Sequence, residues 1–192
     1  MYKNGKERQY KKMIIQRILK KIYLKMCSNE QYIEYLRKKG AKIGKGCDIH
    51  KNVNIDNEAY MIYIGNNTRI TSGVRLIPHD GGLWTLRKMG LLPDADYFAP
   101  IKIGDNVHIG NDVIIMPGVT IGNNVVVGCA AVVTHDIPDN VVVAGIPARV
   151  IESIDEYYQK SKMRCDNTKH MSVEEKRRYY MKKMKLEKND VK

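Results

Sequence analysis

An aliphatic residue returns every six positions through the middle of this 192-residue chain, often with glycine directly behind it. One run is Ile43-Gly44, Ile49 and Ile55; a second is Ile64-Gly65, Ile70 and Leu76. The third holds phase longest, through Ile103-Gly104, Ile109-Gly110, Ile115, Ile121-Gly122, Val127-Gly128 and Val133. Small or branched residues precede the next aliphatic, among them Val53, Ala59, Thr68, Val74, Val107, Val113, Val119, Val125 and Ala131. A period of six matches neither the 3.6 of a helix nor the simple alternation of a strand. It predicts a prism with three flat faces, one hexapeptide to each face and about 18 residues to each coil. The aliphatic side chain fills the prism, and the residue after it turns the corner, which accounts for the Gly, Asp and Asn there. One coil buries its interior only by stacking on others, and the three runs supply about four or five coils. A sandwich of short strands is the competing fold, but its turns recur at about 8–12 residues without fixed phase. The expectation is an all-β core, a parallel β-helix over residues 41–151, flanked by a basic helical segment (1–40) and a charged helical tail (152–192).

Composition agrees with packing by branched side chains. Hydrophobic residues make up 43%, aromatic residues 7%, with one Phe and one Trp. The four cysteines, Cys27, Cys47, Cys129 and Cys165, are irregularly spaced, against a disulfide framework or structural zinc site and for a reducing compartment. No apolar run reaches the roughly 20 residues that span a bilayer, and Lys and Arg interrupt the N-terminal apolar stretches, so a cytoplasmic protein is expected. The net charge of +12 sits in the tails. Residues 1–46 carry 14 Lys/Arg against 3 acids, whereas residues 47–151 carry 7 against 10. A slightly acidic central domain offers no basic face to nucleic acid.

Residues 101–151, IKIGDNVHIGNDVIIMPGVTIGNNVVVGCAAVVTHDIPDNVVVAGIPARVI, resemble the C-terminal signature of the hexapeptide-repeat acyltransferases. More narrowly they resemble the maltose/galactoside acetyltransferase and polysaccharide O-acetyltransferase branch, with similarity over roughly residues 40–151. The resemblance implies left-handed winding, against the usual right-handed crossover. It also implies acetyl-CoA as co-substrate, a homotrimer with active sites between neighbouring prisms, and O-acetylation of a carbohydrate hydroxyl.

The repeat lapses between Leu76 and Ile103, and long excursions from a regular scaffold are where chemistry tends to sit. This excursion, the loop 79–100, opens with His79-Asp80 and holds Trp84. An alcohol is a poor nucleophile near neutral pH and needs a base, which histidine suits. The resemblance makes His79 that general base. Asp80, or a carboxylate or carbonyl from elsewhere, would orient its ring, while Trp84 and Arg87 either shape the acceptor pocket or anchor the loop. By the same resemblance acetyl-CoA contacts fall on Asn111, Cys129, Ala130, Thr134, His135 and Arg149. Small residues at Gly128-Cys129-Ala130-Ala131 permit close approach of an extended arm, and Arg149 suits a phosphate. Cys129 reads either as a nucleophile or, more commonly for such a residue, as a small buried packing group. His108 is read as structural and His50 as surface. No metal is expected, because the intervals of 29 from His50 to His79 and from His79 to His108 do not suit a zinc cluster.

Residues 11–26 place Ile15, Ile18, Leu19, Ile22 and Met26 on one helical face among Lys and Arg. Such a helix lies on an anionic membrane surface or packs within the oligomer. Ser28-x-x-Gln31 and Ser172-x-x-Glu175 have capping-box form and start two further helices, the first ending at Gly40. Three functions compete at this point: an acetyltransferase acting on a saccharide, serine, an antibiotic or an amino sugar, a metal-dependent hydratase resembling the β-helical carbonic anhydrases, and a non-catalytic scaffold.

Overall fold

The computed structural model describes residues 14, 23, 24, 26–55 and 58–185, so most of the basic segment 11–26 lies outside the described residues. The hexapeptide pattern resolves into three parallel sheets. Face one stacks β1 (Lys42–Ile43), β4 (Ile62–Ile64), β7 (Ile101–Ile103) and β10 (Thr120–Ile121). Face two stacks β2 (Asp48–Ile49), β5 (Arg69–Ile70), β8 (His108–Ile109), β11 (Val126–Val127), β13 (Val141–Ala144) and β14 (Arg149–Ser153). Face three stacks β3 (Asn54–Ile55), β6 (Arg75–Leu76), β9 (Ile114–Ile115) and β12 (Val132–Val133). The chain visits the faces in turn, which gives four full coils and part of a fifth. The antiparallel return of β14 on β13 ends the stack.

Register explains the core. Ile49 stands opposite Ile70, Ile70 opposite Ile109, Ile109 opposite Val127, and Val127 opposite Val143. All five are almost wholly buried, and full burial of one such side chain contributes about 1.5–3 kcal/mol. The buried hydroxyl of Thr68 donates to the carbonyl of Gly104 at 2.9 Å and accepts from the Val107 amide at 3.3 Å, so it carries no unmet hydrogen bond. Ala59 departs from the expected pattern. The residue two before Ile64 is Ile62, and Ala59 is buried in a short 3₁₀ turn, Ala59–Met61, that bulges from the first coil.

The corners are built differently from the expectation. At the corners that follow face one the left-handed residue is the third after the aliphatic, not the first: Gly46, Asn67, Asn106, Asn124 and Asn140 all have φ between 53° and 68°. The glycine directly after the aliphatic is required by crowding. A Cβ on Gly104 would lie 2.7 Å from the carbonyl oxygen of Gly122 in the next coil. Asparagine recurs at the corners because its amide spans one coil spacing: Asn106 donates to Asn124 at 3.1 Å, and Asn124 to Asn140 at 2.8 Å.

The chain forms two compact units, Met1–Tyr157 and Tyr158–Lys192. The helix α1 (Asn29–Lys38) opens with the Ser28–Gln31 capping box, buries Tyr32, Ile33 and Leu36, and closes the first coil. Arg37 fastens it by donating to the carbonyls of Ile43 and Gly44, and Gly40 ends it at φ +103°. Among the described residues no helix is long and apolar enough to cross a membrane. In the loop the chain forms α2 (Leu83–Lys88), and after β14 it forms α3 (Ile154–Arg164). Within the second unit α4 (Val173–Lys183) carries the expected Ser172–Glu175 box. There Asp166 accepts from Tyr179 at 3.0 Å and from Lys183 at 2.6 Å.

Candidate active site

The lapse in the repeat is a closed loop with a short neck. Ala99 donates to the Pro78 carbonyl at 2.9 Å, His79 bridges Phe98 in antiparallel fashion, and Asp80 donates from its amide to Tyr97 at 3.0 Å. Three backbone contacts therefore fix the chain on both sides of His79. Its ring leans on Phe98, with centroids 5.9 Å apart at 51°. Register shows the size of the insertion: Ile64 pairs with Ile103, 39 positions on, while Ile103 pairs with Ile121, 18 positions on.

Glu58 faces the His79 ring. Its Oε2 lies 3.7 Å from Nδ1, and both atoms are buried without another hydrogen-bond partner. The carboxylate and the imidazole face each other across a gap that a small movement closes into a charge-assisted hydrogen bond. Apo contacts of this kind are often long and tighten with substrate. The sequence reading did not single out Glu58, although a signal existed: Ile55 and Ile64 are nine apart where the repeat asks for six. The bulge that breaks phase is the bulge that carries Glu58. Asp80 is turned elsewhere, accepting from the Gly82 amide at 2.8 Å. Arg87 ties the loop to itself through Ala95 at 2.5 Å and Asp96 at 2.8 Å. Trp84 is exposed, with the Lys88 ammonium 5.8 Å above its ring.

The residues expected to meet acetyl-CoA fall on two different edges of the prism. Asn111, Cys129 and Ala130 line the edge between faces two and three, where the Ala130 amide donates to the Asn111 carbonyl at 2.8 Å. Thr134 and His135 follow β12 on the edge between faces three and one, the edge that carries His79. Their side chains meet, Thr134 Oγ1 to His135 Nδ1 at 2.8 Å. Arg149 starts β14 and is exposed. Cys129 is exposed, not packed, because the chain turns outward there toward the left-handed Ala130 at φ +58°. Beside it a groove of about 350 Å³ runs along face two, walled by Asn111, His108, Arg69, His50 and Asp48. Burial, and secondly the Arg69 charge, hold His108 below the usual histidine range. Among the described residues no three of His, Cys, Asp and Glu converge as a metal site would require.

The described residues form a three-faced parallel coil with hexapeptide rungs, interrupted by a long loop with a histidine at its neck. Residues 100–135 match the bacterial transferase hexapeptide family (six repeats). The protein CapG of Staphylococcus aureus is 44% identical over 172 residues, spanning 87% of this chain and 97% of that protein. The galactoside O-acetyltransferase of Escherichia coli (strain K12) is 42% identical over 132 residues, 63% of this chain and 61% of that one. A solved galactoside acetyltransferase in complex with coenzyme A superposes with a TM-score of 0.54 at 30% identity, covering 72% of this chain and 78% of that one. The chain belongs to the hexapeptide-repeat acetyltransferase family: it is an acetyltransferase, and its prism is the left-handed parallel β-helix of that family.

Proposed function

We propose that the chain is an acetyl-CoA-dependent O-acetyltransferase that modifies a carbohydrate hydroxyl by direct transfer, with His79 as general base. The observation that carries this reading is the His79–Glu58 pair, held by a backbone neck at the break in the repeat. With Nδ1 turned to Glu58, Nε2 is the nitrogen left to take the proton of the acceptor hydroxyl. The hydroxyl oxygen attacks the thioester carbonyl, the carbon–sulfur bond breaks, and the thiol of CoA leaves with a proton relayed through His79. Glu58 stabilises the imidazolium that exists between these two transfers. The likeness to a galactoside acetyltransferase solved with coenzyme A supports the donor.

The split of the cofactor residues between two edges supports a cyclic homotrimer. In such a ring the His79 edge of one prism faces the Asn111–Cys129 edge of its neighbour. A cytoplasmic location fits this donor; attachment at the inner face of the membrane rests on residues 11–26 alone. Acetyl-CoA with a saccharide panel and thiol release as readout tests the reading. His79→Ala should retain acetyl-CoA binding by calorimetry and lose about 10²–10⁴-fold in turnover. Undiminished turnover would overturn the assignment of the base.

A further inference from the structure

The groove on face two continues below Cys129 into the first two coils, where its walls carry charge. Arg69 is the one permanent cation among the described residues that line it. Its Nε meets Asp48 at 3.1 Å, which leaves the Nη side of the guanidinium unengaged among the described residues, and the side chain is 63% exposed. A planar fork with an open side is the group that binds carboxylate or phosphate in two-pronged fashion.

The wall beside it is prepared to accept hydrogen bonds. The Gly73 amide donates to Asn52 Oδ1 at 3.1 Å, so that oxygen is an acceptor, and Asn52 Nδ2 donates to Ser72 at 2.7 Å. His50 Nδ1 lies 2.6 Å from the same Oδ1 and donates to it, a much shorter contact than the 3.5 Å approach of the Asn52 amide to that nitrogen. With Nδ1 donating, Nε2 is the ring nitrogen left to accept from a hydroxyl. Hydroxyl and anion recognition thus stand side by side on one wall.

Height along the prism says which substrate reaches them. The residues assigned to acetyl-CoA climb from Asn111 in the third coil through Cys129 and Thr134 in the fourth to Arg149 beyond it. His79 leaves the second coil, and prisms related by one axis parallel to their own keep their levels. The thioester then lies near the level of His79 with the CoA phosphates above, so Asp48, His50 and Arg69 lie on the acceptor side.

We propose that this lower groove is an acceptor subsite for a saccharide bearing an anionic group, a carboxylate or phosphate, which Arg69 binds while His50 accepts from a ring hydroxyl. The proposal rests on the reading of the chain as a saccharide O-acetyltransferase. Asp48 competes with that anion for the guanidinium and so sets how strongly it is preferred.

The test uses the full chain and three probes: methyl β-glucoside, methyl β-glucuronide and glucose 6-phosphate. Calorimetry comes first, since binding needs no turnover. The anionic probes are expected to bind about tenfold more tightly than the glucoside. Arg69→Gln should abolish that preference and Asp48→Asn should enlarge it, two changes of opposite sign that a merely structural role would not produce. Equal binding of charged and neutral probes by the wild type would overturn the subsite. A raised KM for acetyl-CoA in Arg69→Gln, with probe preference intact, would give Arg69 to the cofactor phosphates and overturn it equally. Probe preference without any acetyl transfer would leave the subsite standing and sink the catalytic reading.

Discussion

Replacing Glu58 with Gln keeps the shape of the wall beside His79 and removes its charge. At 3.7 Å, an effective dielectric of about 20 gives about 4 kcal/mol between full charges. The side chains are 35% and 19% exposed, and water reduces this to about 1–2 kcal/mol. That energy acts while His79 holds the acceptor proton, so its loss falls on kcat and not on acetyl-CoA binding. Each 1.4 kcal/mol is tenfold, which puts Glu58→Gln about five- to thirtyfold below wild type in kcat. Glu58→Ala should fall further, because the ring also loses the group that orients it. Stability should move differently. Glu58 Oε2 and His79 Nδ1 are buried without hydrogen-bond partners, so deleting the carboxylate charge relieves a cost of folding. The urea midpoint of Glu58→Gln is expected at or above that of wild type. Steady-state kinetics alongside urea denaturation decides it: kcat within twofold of wild type, or a stability loss that parallels the activity loss, would refute the reasoning.

Two other outcomes can be stated. Gly104→Ala sets a Cβ against backbone of the next coil at 2.7 Å and should cost about 1–3 kcal/mol in denaturant unfolding; Gly81→Ala, with nothing within 4 Å, should stay within about 0.5 kcal/mol. In the second unit the Lys183 hydrogen bond, ahead of the one from Tyr179, holds Asp166 below the usual carboxylate range. Its contribution is present above the ordinary carboxylate pKa and lost as pH falls through the lowered one. Helicity of α4 followed by NMR should decline over that acid window in wild type and not in Asp166→Asn.

Much of the scaffold was legible because a prism repeats one local rule. Ile109, Ile115, Ile121 and Val127 each need the same environment, so six-residue spacing reports it directly. The corner was misassigned for a physical reason. Gly104 and Asn106 are both typical turn residues, and only stacking shows that the glycine answers a neighbour's carbonyl while the asparagine takes the left-handed turn. Cys129 read as a packing residue by type, and its place one step before a corner exposes it. The histidine at the loop neck was legible as a chemical type at a break in phase.

From the sequence alone followed the three-faced frame and the place of the excursion, since a local rule repeated at fixed spacing is written along the chain; the choice of His79 as base came with the family resemblance. The tertiary structure alone decided that Glu58, 21 positions upstream, faces that histidine, and that Asn111 and Thr134 stand on different edges. It also set Arg69 beside Asp48 with one side open. These are relations between coils, fixed by how one turn stacks on the next, and linear spacing carries no record of them once insertions have shifted the count.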